Sequence, residues 1–241
     1  MKISIIIPAF NEQKLLPATL ESVFVAAEAI AARPWEYEVI VCDNNSTDRT
    51  AEIARARGAQ VVFEPVNQIG RARNRGASIA TGDWLVFIDA DSHPSHALLE
   101  DVCNAIAEGR CLAGGCTVKL DARDRIGGLL TEAWNLISRV RKWAAGSFIF
   151  CEASAFREAG GFSADLFASE EIELFRRLHK LARRRRSEIV ILHMHPLITS
   201  ARKVHLYSKW EHLRFFLRTA LSLGGTLRKA ESCPTWYDGR R

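Results

Sequence analysis

Several routes to a function are closed by what this chain of 241 residues does not contain. Its six cysteines, Cys42, Cys103, Cys111, Cys116, Cys151 and Cys233, form no CxxC pair and no Cys/His group of zinc spacing. That excludes a zinc ribbon and a dithiol redox motif, and leaves reduced, mostly buried thiols of a cytoplasmic protein as the expectation. No uninterrupted apolar run reaches the roughly 18 residues that span a bilayer. The apolar stretch Met1 to Ala9 is too brief for a secretory leader and has no small-residue cleavage site, so it reads as a first strand. No linker, repeat or low-complexity tract interrupts the chain. The net charge of +5 is local, concentrated in Arg183-Arg184-Arg185-Arg186 and Arg240-Arg241. Such a run reads first as a solvated helix end and second as a phosphate or anionic-lipid contact. Without interleaved aromatics it does not suggest a nucleic-acid partner.

What is present suffices for a sizeable core: 48% of residues are hydrophobic and 25% charged. Ile3-Ser4-Ile5-Ile6-Ile7, Val39-Ile40-Val41-Cys42, Val61-Val62-Phe63 and Leu85-Val86-Phe87-Ile88 read as buried strands. Helical patterns lie between them: one with Pro17 in its first turn and Leu20, Val23, Phe24 and Ala27 on one side, one capped by Ser46 or Thr47 and ended by Gly58, and one from Asn67 to Ala80. Alternation of this kind predicts an α/β fold, an open and mostly parallel sheet with helices on both faces, whose ligand crevice lies beyond the strands' C-terminal ends. Further on the pattern predicts helices over 98–107, 126–142 and 153–159, strands over 111–119 and 147–151, and a helix capped by Ser169 with Glu170, Glu171 and Glu173 in its first turn. A late strand, Ile189 to Leu192, is expected to end at His193-Met194-His195, and a last helix to run from Leu206 to Leu223. The expected division is a domain over 1–205 followed by a helical extension over 206–241.

The stretch Leu85 to His93 organises the reading. Gly82 and Asp83 supply a turn, a buried strand follows, and Asp89 and Asp91 then stand one residue apart. In extended chain positions i and i+2 point the same way, so the two carboxylates would repel unless a cation lay between them or one took a proton. Hard oxygen ligands suit Mg²⁺ or Mn²⁺, and Mg²⁺ commonly takes one or two carboxylates together with substrate phosphates. His93, two residues on, is in register to offer a nitrogen to the same ion.

Taken in order, Pro8-Ala9-Phe10-Asn11-Glu12, Asp43-Asn44-Asn45-Ser46-Thr47-Asp48, Gly70-Arg71-Ala72-Arg73-Asn74-Arg75-Gly76, Asp89-Ala90-Asp91, Gly160-Gly161-Phe162 and Glu170-Glu171 resemble the motifs of family 2 glycosyltransferases of the GT-A (Rossmann-like nucleotide-diphospho-sugar transferase) fold. The resemblance covers about residues 1 to 205 and implies a nucleotide-binding half over 1–93 and an acceptor half over 94–205. It implies a UDP- or GDP-sugar donor, a divalent metal and inversion at the anomeric carbon. Pro8, Phe10, Glu12, Asp43, Arg71, Arg73, Asp89, Ala90 and Arg202 match positions on the nucleotide side, with Asp43 at the base and Glu12 near the ribose. Asp91 matches the metal ligand, with Asp89 and His93 beside it. Ser200 matches a segment near the pyrophosphate, and His193 and His195 are candidates to complete the metal shell.

Inverting transfer needs a carboxylate across the sugar from the departing diphosphate. The resemblance assigns that base to the acid pair opening a helix, Glu170-Glu171, where the second position is usually Asp; the longer arm of Glu171 leaves the choice between the two open. The Gln-x-x-Arg-Trp motif of processive members is absent, which implies addition of one sugar. Two alternatives remain: a sugar-phosphate nucleotidyltransferase, which would carry a glycine-rich loop directly after the first strand, and a non-catalytic nucleotide-sugar binding module. The C-terminal helix, with Lys209, Arg214 and Arg218 near its apolar stripe, has the composition for a peripheral contact on the inner membrane face.

Overall fold

The computed structural model describes residues 1–121 and 125–200. In chain order its elements are β1 (Lys2–Ala9), α1 (Leu16–Ala31), β2 (Glu36–Asp43), α2 (Thr50–Ala56), β3 (Gln60–Phe63), α3 (Ile69–Ile79), β4 (Trp84–Ile88), β5 (Ser92–His93), α4 (His96–Ala107), β6 (Cys111–Leu120), α5 (Arg125–Arg141), β7 (Phe148–Glu152), α6 (Ala153–Ala159), α7 (Glu170–Arg185) and β8 (Glu188–Thr199). The strands join in one curled eight-stranded sheet, ordered β3-β2-β1-β4-β7-β6-β8-β5. The first four are parallel to one another, and β6 runs parallel to β8, while β7 is antiparallel to both β4 and β6.

Alternation along each central strand divides the core into two layers. Ile3, Ile5 and Ile7 of β1, with Val86 and Ile88 of β4, pack under α1 and α4 through Leu20, Val23, Leu98 and Val102. Ile6, Leu85 and Phe87 face the other way, against Ala72 of α3 and Leu174, Phe175 and Leu178 of α7. All of these side chains are essentially inaccessible, each burial worth about 1.5–3 kcal/mol. Close approach of α3 to the sheet depends on Gly76, since a Cβ there would lie 2.5 Å from Ile6 Cγ2.

Four local expectations are corrected. Neither Ser46 nor Thr47 caps α2; Arg49 occupies that position without a side-chain cap, and Asp48 Oδ1 takes the Thr50 N–H at 2.9 Å instead. Ser169 stands at the start of α7 in the left-handed region, φ 62°, and its side chain makes no cap. The last strand does not end at the histidines but continues to Thr199, because its backbone pairs with β6 as far as Leu120 and with β5 at Ser92 and His93. Residues 89–91 are not extended: the Ser92 N–H donates to Asp89 O at 3.1 Å, closing a tight turn between β4 and β5. The four described cysteines in strands β2, β6 and β7 and the one in α4 are unpaired, and all but the half-exposed Cys111 are buried. The helix expected over 206–223, Arg202 and Cys233 lie outside the described residues.

Candidate active site

Parallel strands aligned in register deliver their exit loops to one edge. Ala9 of β1 is level with Asp43 of β2, which is level with Phe63 of β3. The loops beginning at Phe10, Asp43, Glu64 and Asp89 therefore share the crevice expected for an open parallel sheet. Polar side chains fix them to each other. The Asn44 amide donates to Glu64 O and Val66 O at 3.2 and 2.5 Å, and its Oδ1 accepts from the Gln68 N–H at 3.0 Å. Asn11, at φ 53°, accepts from the Thr47 N–H at 2.8 Å, and the Glu12 N–H donates to Thr50 Oγ1 at 2.8 Å. Asp43 is 8% exposed and one of its oxygens takes the Ser46 N–H at 3.1 Å. Glu12 and, on β1, Pro8 are buried, and Phe10 is half-buried.

The Asp89–Asp91 turn is held from every side. Asp89 N–H donates to Ser147 O at 3.2 Å, Thr19 of α1 donates its hydroxyl to Ala90 O at 2.8 Å, and Ser200 N–H at the end of β8 donates to Asp91 O at 3.1 Å. Ser92 Oγ and Thr199 Oγ1 share a hydrogen bond of 3.0 Å. The turn separates the two acids. Asp89 Oδ1 is paired with Arg73 at 3.0 Å, whereas Asp91 is buried at the tip, 5% exposed. Among the described residues no three His, Cys, Asp or Glu side chains converge to hold an ion, so Asp89, Asp91 and His93 do not form a three-ligand protein cluster. His195 is turned away from this edge, its Nδ1 2.8 Å from Asp101 of α4, and His193 precedes it on the same stretch of β8.

Arg73 is the hub of the site. Expected to face the nucleotide, it is 1% exposed and turned inward. Its Nη1 donates to Glu170 at 2.7 Å, its Nη2 to Asp89 at 3.0 Å and to Gly146 O at 2.7 Å, and its guanidinium carbon lies 5.1 Å from the centre of the Phe162 ring. Burial alone would weaken its charge, but Asp89, Glu170 and Glu171 outweigh that and hold it cationic. Arg71, one residue earlier than Ala72 on the same helix, is half-exposed and paired with Glu64 at 3.4 Å.

The glycines and the asparagine of the two remaining motifs serve this hub. At Gly70 a Cβ would meet Ser163 O at 3.3 Å and Glu170 Cγ at 3.5 Å, so a bare backbone lets the start of α7 approach α3. Asn74 accepts from the Phe162 N–H at 2.9 Å and donates to Phe162 O at 2.8 Å, and the Gly160-Gly161 pair takes left-handed φ values of 84° and 68° to deliver Phe162 there. Arg177 ties the same turn through Ala159 O and Gly161 O. Gln68 reaches Ala164 O and Leu166 O at 2.9 and 2.8 Å.

Glu170 is thus buried and charge-paired. Glu171, half-buried next to it, is a different group: burial, with the Glu170 and Asp89 charges adding, raises its carboxyl well above the usual carboxylate range despite the opposing Arg73. Asn44 and Asn74 stood in the quoted motifs without a role, and Thr19, Gln68 and Gly146 were passed over. Of these three Thr19 left a signal, a polar residue on the apolar face of α1 between Leu16 and Val23.

The comparisons with known proteins follow the same outline. An uncharacterized glycosyltransferase of Mycobacterium bovis is 36% identical over 113 residues, 47% of each chain. The 4,4'-diaponeurosporenoate glycosyltransferase of Staphylococcus haemolyticus is 42% identical over 96 residues, 37% of this chain and 24% of that one. The chain therefore spans about half, or less, of the length of these relatives. Among solved structures, a mannosyltransferase from Pyrobaculum calidifontis in complex with GDP-Man and Mn²⁺ superposes with a TM-score of 0.67 at 18% identity, over 98% of this chain and 67% of that one. The S. aureus TarS 1-349 complex with UDP-GlcNAc gives 0.63 at 19% identity, over 83% and 58%. These likenesses establish the GT-A fold. The family model described as glycosyl transferase family 2 matches residues 4–159, from β1 to the end of α6, and the chain belongs to that family.

Proposed function

We propose that this chain transfers one sugar from a nucleotide-diphosphate donor to an acceptor hydroxyl, with inversion and with a divalent metal. The observation that carries the reading is the Arg73 bridge, which ties the acid turn after β4 to Glu170 at the opening of α7, 97 residues beyond Arg73 in the sequence. One solved structure of the same fold holds UDP-GlcNAc and another holds GDP-Man and Mn²⁺, which supports a UDP- or GDP-sugar.

The donor set suits a hard cation. Asp91, with Asp89 two residues before it in the same turn, offers the one or two carboxylates that Mg²⁺ or Mn²⁺ takes when phosphates complete its shell. Such an ion would supply charge neutralisation of the departing diphosphate. Asp43 would receive the base and Glu12 the ribose, with Pro8, Phe10, Ala90 and the exposed end of Arg71 lining the same edge. Arg73 holds Asp89 and Glu170 in place and contributes positive potential without touching the donor.

Of the two candidate bases, Glu171 is the better. Glu170 is committed to Arg73, while Glu171 has a proton affinity shifted towards neutrality, as a general base requires. In the reaction the acceptor oxygen bonds to the anomeric carbon as the bond from that carbon to the diphosphate oxygen breaks, and the hydroxyl proton passes to Glu171.

Thermal-shift titration with UDP and GDP, with and without Mn²⁺, tests the site. One diphosphate should stabilise the protein only with metal, and Asp91→Ala should lose most of that gain. Full metal-dependent stabilisation of the variant would remove Asp91 from the ion.

A further inference from the structure

Towards the sheet helix α5 presents Asn135 and Ser138, both buried, beside Trp134, which packs partly buried against the core. Asn135 exchanges hydrogen bonds of 3.0 Å with the Val118 N–H and carbonyl, and the Ser138 hydroxyl donates to Trp143 O at 2.6 Å. Away from the sheet it presents Leu129, Leu130, Leu136, Ile137 and Val140, which are 73%, 66%, 64%, 46% and 72% exposed. With the exposed Ala133 these recur every three or four residues, a continuous stripe of about 16 Å rather than the scattered apolar residues normal on a surface. Glu132 is the only acid in the helix.

Past the C-terminal end of the stripe the surface turns basic. A cleft of about 410 Å³ is lined by Arg141, Trp143, Arg176, His179, Lys180 and Arg183. The guanidinium carbons of Arg141 and Arg176 lie 5.8 and 5.9 Å from the centre of the Trp143 ring. The arginine run at the end of α7 divides here. Arg184 and Arg185 are neutralised by Glu158 and Glu152, whereas Arg183 lines the cleft. Among the described residues no carboxylate is ion-paired with Arg141, Arg176, Lys180 or Arg183.

We propose that the outer stripe of α5 and the adjoining basic cleft dock this protein on an anionic lipid surface, the apolar side chains entering the headgroup boundary and the cleft taking lipid phosphates. An interfacial helix requires this combination: an apolar face, cations beside it and an amphipathic aromatic at the border between them. A second copy of the chain would cover the stripe but bring a second set of the same cations to it. The location differs from the C-terminal helix, and the docking does not depend on the transfer chemistry. Its consequence does: α7 carries Glu171 and, apart from Arg141 of α5, the cations of the cleft, so an acceptor lying in the lipid plane would be met by the helix that bears the base.

Flotation of the full chain with vesicles of phosphatidylcholine, or of phosphatidylcholine with about one-third phosphatidylglycerol, tests the proposal. Binding should be confined to the anionic vesicles and weaken with salt. Leu136→Glu with Val140→Glu should abolish it, and Arg176→Glu with Arg183→Glu should weaken it roughly tenfold or more, with unchanged melting temperatures because all four side chains are exposed. Three results would overturn it: no anionic-vesicle binding by the parent, full binding by the Leu136/Val140 variant, or a dimer in light scattering that this variant converts to monomer. Stabilisation by inorganic phosphate without vesicle binding would instead assign the cleft to a small phosphorylated ligand.

Discussion

Replacing Arg73 with methionine removes the one cation between three acids, and its cost can be worked from the bonds lost. Two charge-assisted hydrogen bonds, to Glu170 at 2.7 Å and Asp89 at 3.0 Å, disappear, with a third to Gly146 O at 2.7 Å. Glu170 is 3% exposed, so its carboxylate is left without a counter-charge where water cannot replace one. Breaking a buried ion pair from one side typically costs about 3–5 kcal/mol. For a domain of this size that corresponds to a fall in melting temperature of roughly 10 °C or more. The deficit should depend on pH with a definite sign. An unpaired buried carboxylate is relieved by taking a proton, so the parent's advantage is greatest at neutral and alkaline pH and narrows as pH falls towards the ordinary carboxylate range. Lysine at the same position keeps the charge but cannot fork between Glu170 and Asp89, and should recover only part of the loss. Adding Glu170→Gln to Arg73→Met removes the stranded charge, and the double variant should be more stable than Arg73→Met alone. Thermal melts of the four proteins from pH 5 to pH 8.5 decide the matter. A loss below about 1 kcal/mol for Arg73→Met, or one that does not change with pH, would refute the bridge as the organising contact of the site.

Glu171→Gln separates base from scaffold. Because the folded protein holds this carboxyl's proton to higher pH than the unfolded chain does, its contribution to stability is full below the unfolded value and is lost as pH rises through the folded one. The glutamine variant should therefore match the parent at about pH 4 and exceed it by about 2 kcal/mol above pH 8, while donor binding persists and transfer is lost; a variant less stable than the parent at pH 8 contradicts the raised proton affinity. Gly161→Ala places a Cβ 2.7 Å from Asn74 Oδ1 at a backbone φ of 68°, and a destabilisation of about 1–3 kcal/mol by denaturant titration is expected. Burial pushes the thiols of Cys42 and Cys116 up to about 12 and that of Cys103 to about 11, so mass spectrometry after alkylation at pH 8 should find these three unmodified in the folded protein and modified in denaturant.

The parts of the fold that local chemistry dictates were legible. Strands β1 to β4 are β-branched or aromatic runs, with Gly58 before β3 and Gly82 before β4, and their exit loops carry the polar motifs, so the parallel half followed from pattern, although β1 runs through Pro8 to Ala9. What escaped depends on partners distant in the chain. Strand β8 leaves its register with β6 at His193, Met194 and His195, regains it at Leu197 and runs on to Thr199, and β5 exists only because β8 returns to pair with it. Asp89 and Asp91 looked like a matched pair on an extended strand, but the chain turns between them, and the turn is closed by Ser147, Thr19 and Ser200 from three other elements.

Arg73 shows why a motif's residue types can be read correctly while the direction of a side chain is not. On α3 it is one arginine among three, and nothing within a few turns distinguishes it from Arg71 or Arg75. The distinction lies 97 residues away, in Glu170, and in two glycines beside the pairing: Gly70, which lets α7 approach, and Gly146, whose carbonyl accepts the second Nη2 bond. A fully buried guanidinium is tolerated only where carboxylates surround it. Bringing those carboxylates together in turn leaves Glu171 beside Glu170 in a partly dry pocket, where it cannot ionise readily. The packing of α3 against α7 and the proton affinity of the proposed base are therefore two aspects of one constraint. A change at Gly70 that pushes α7 outward should move the pH profile of transfer as well as the melting temperature.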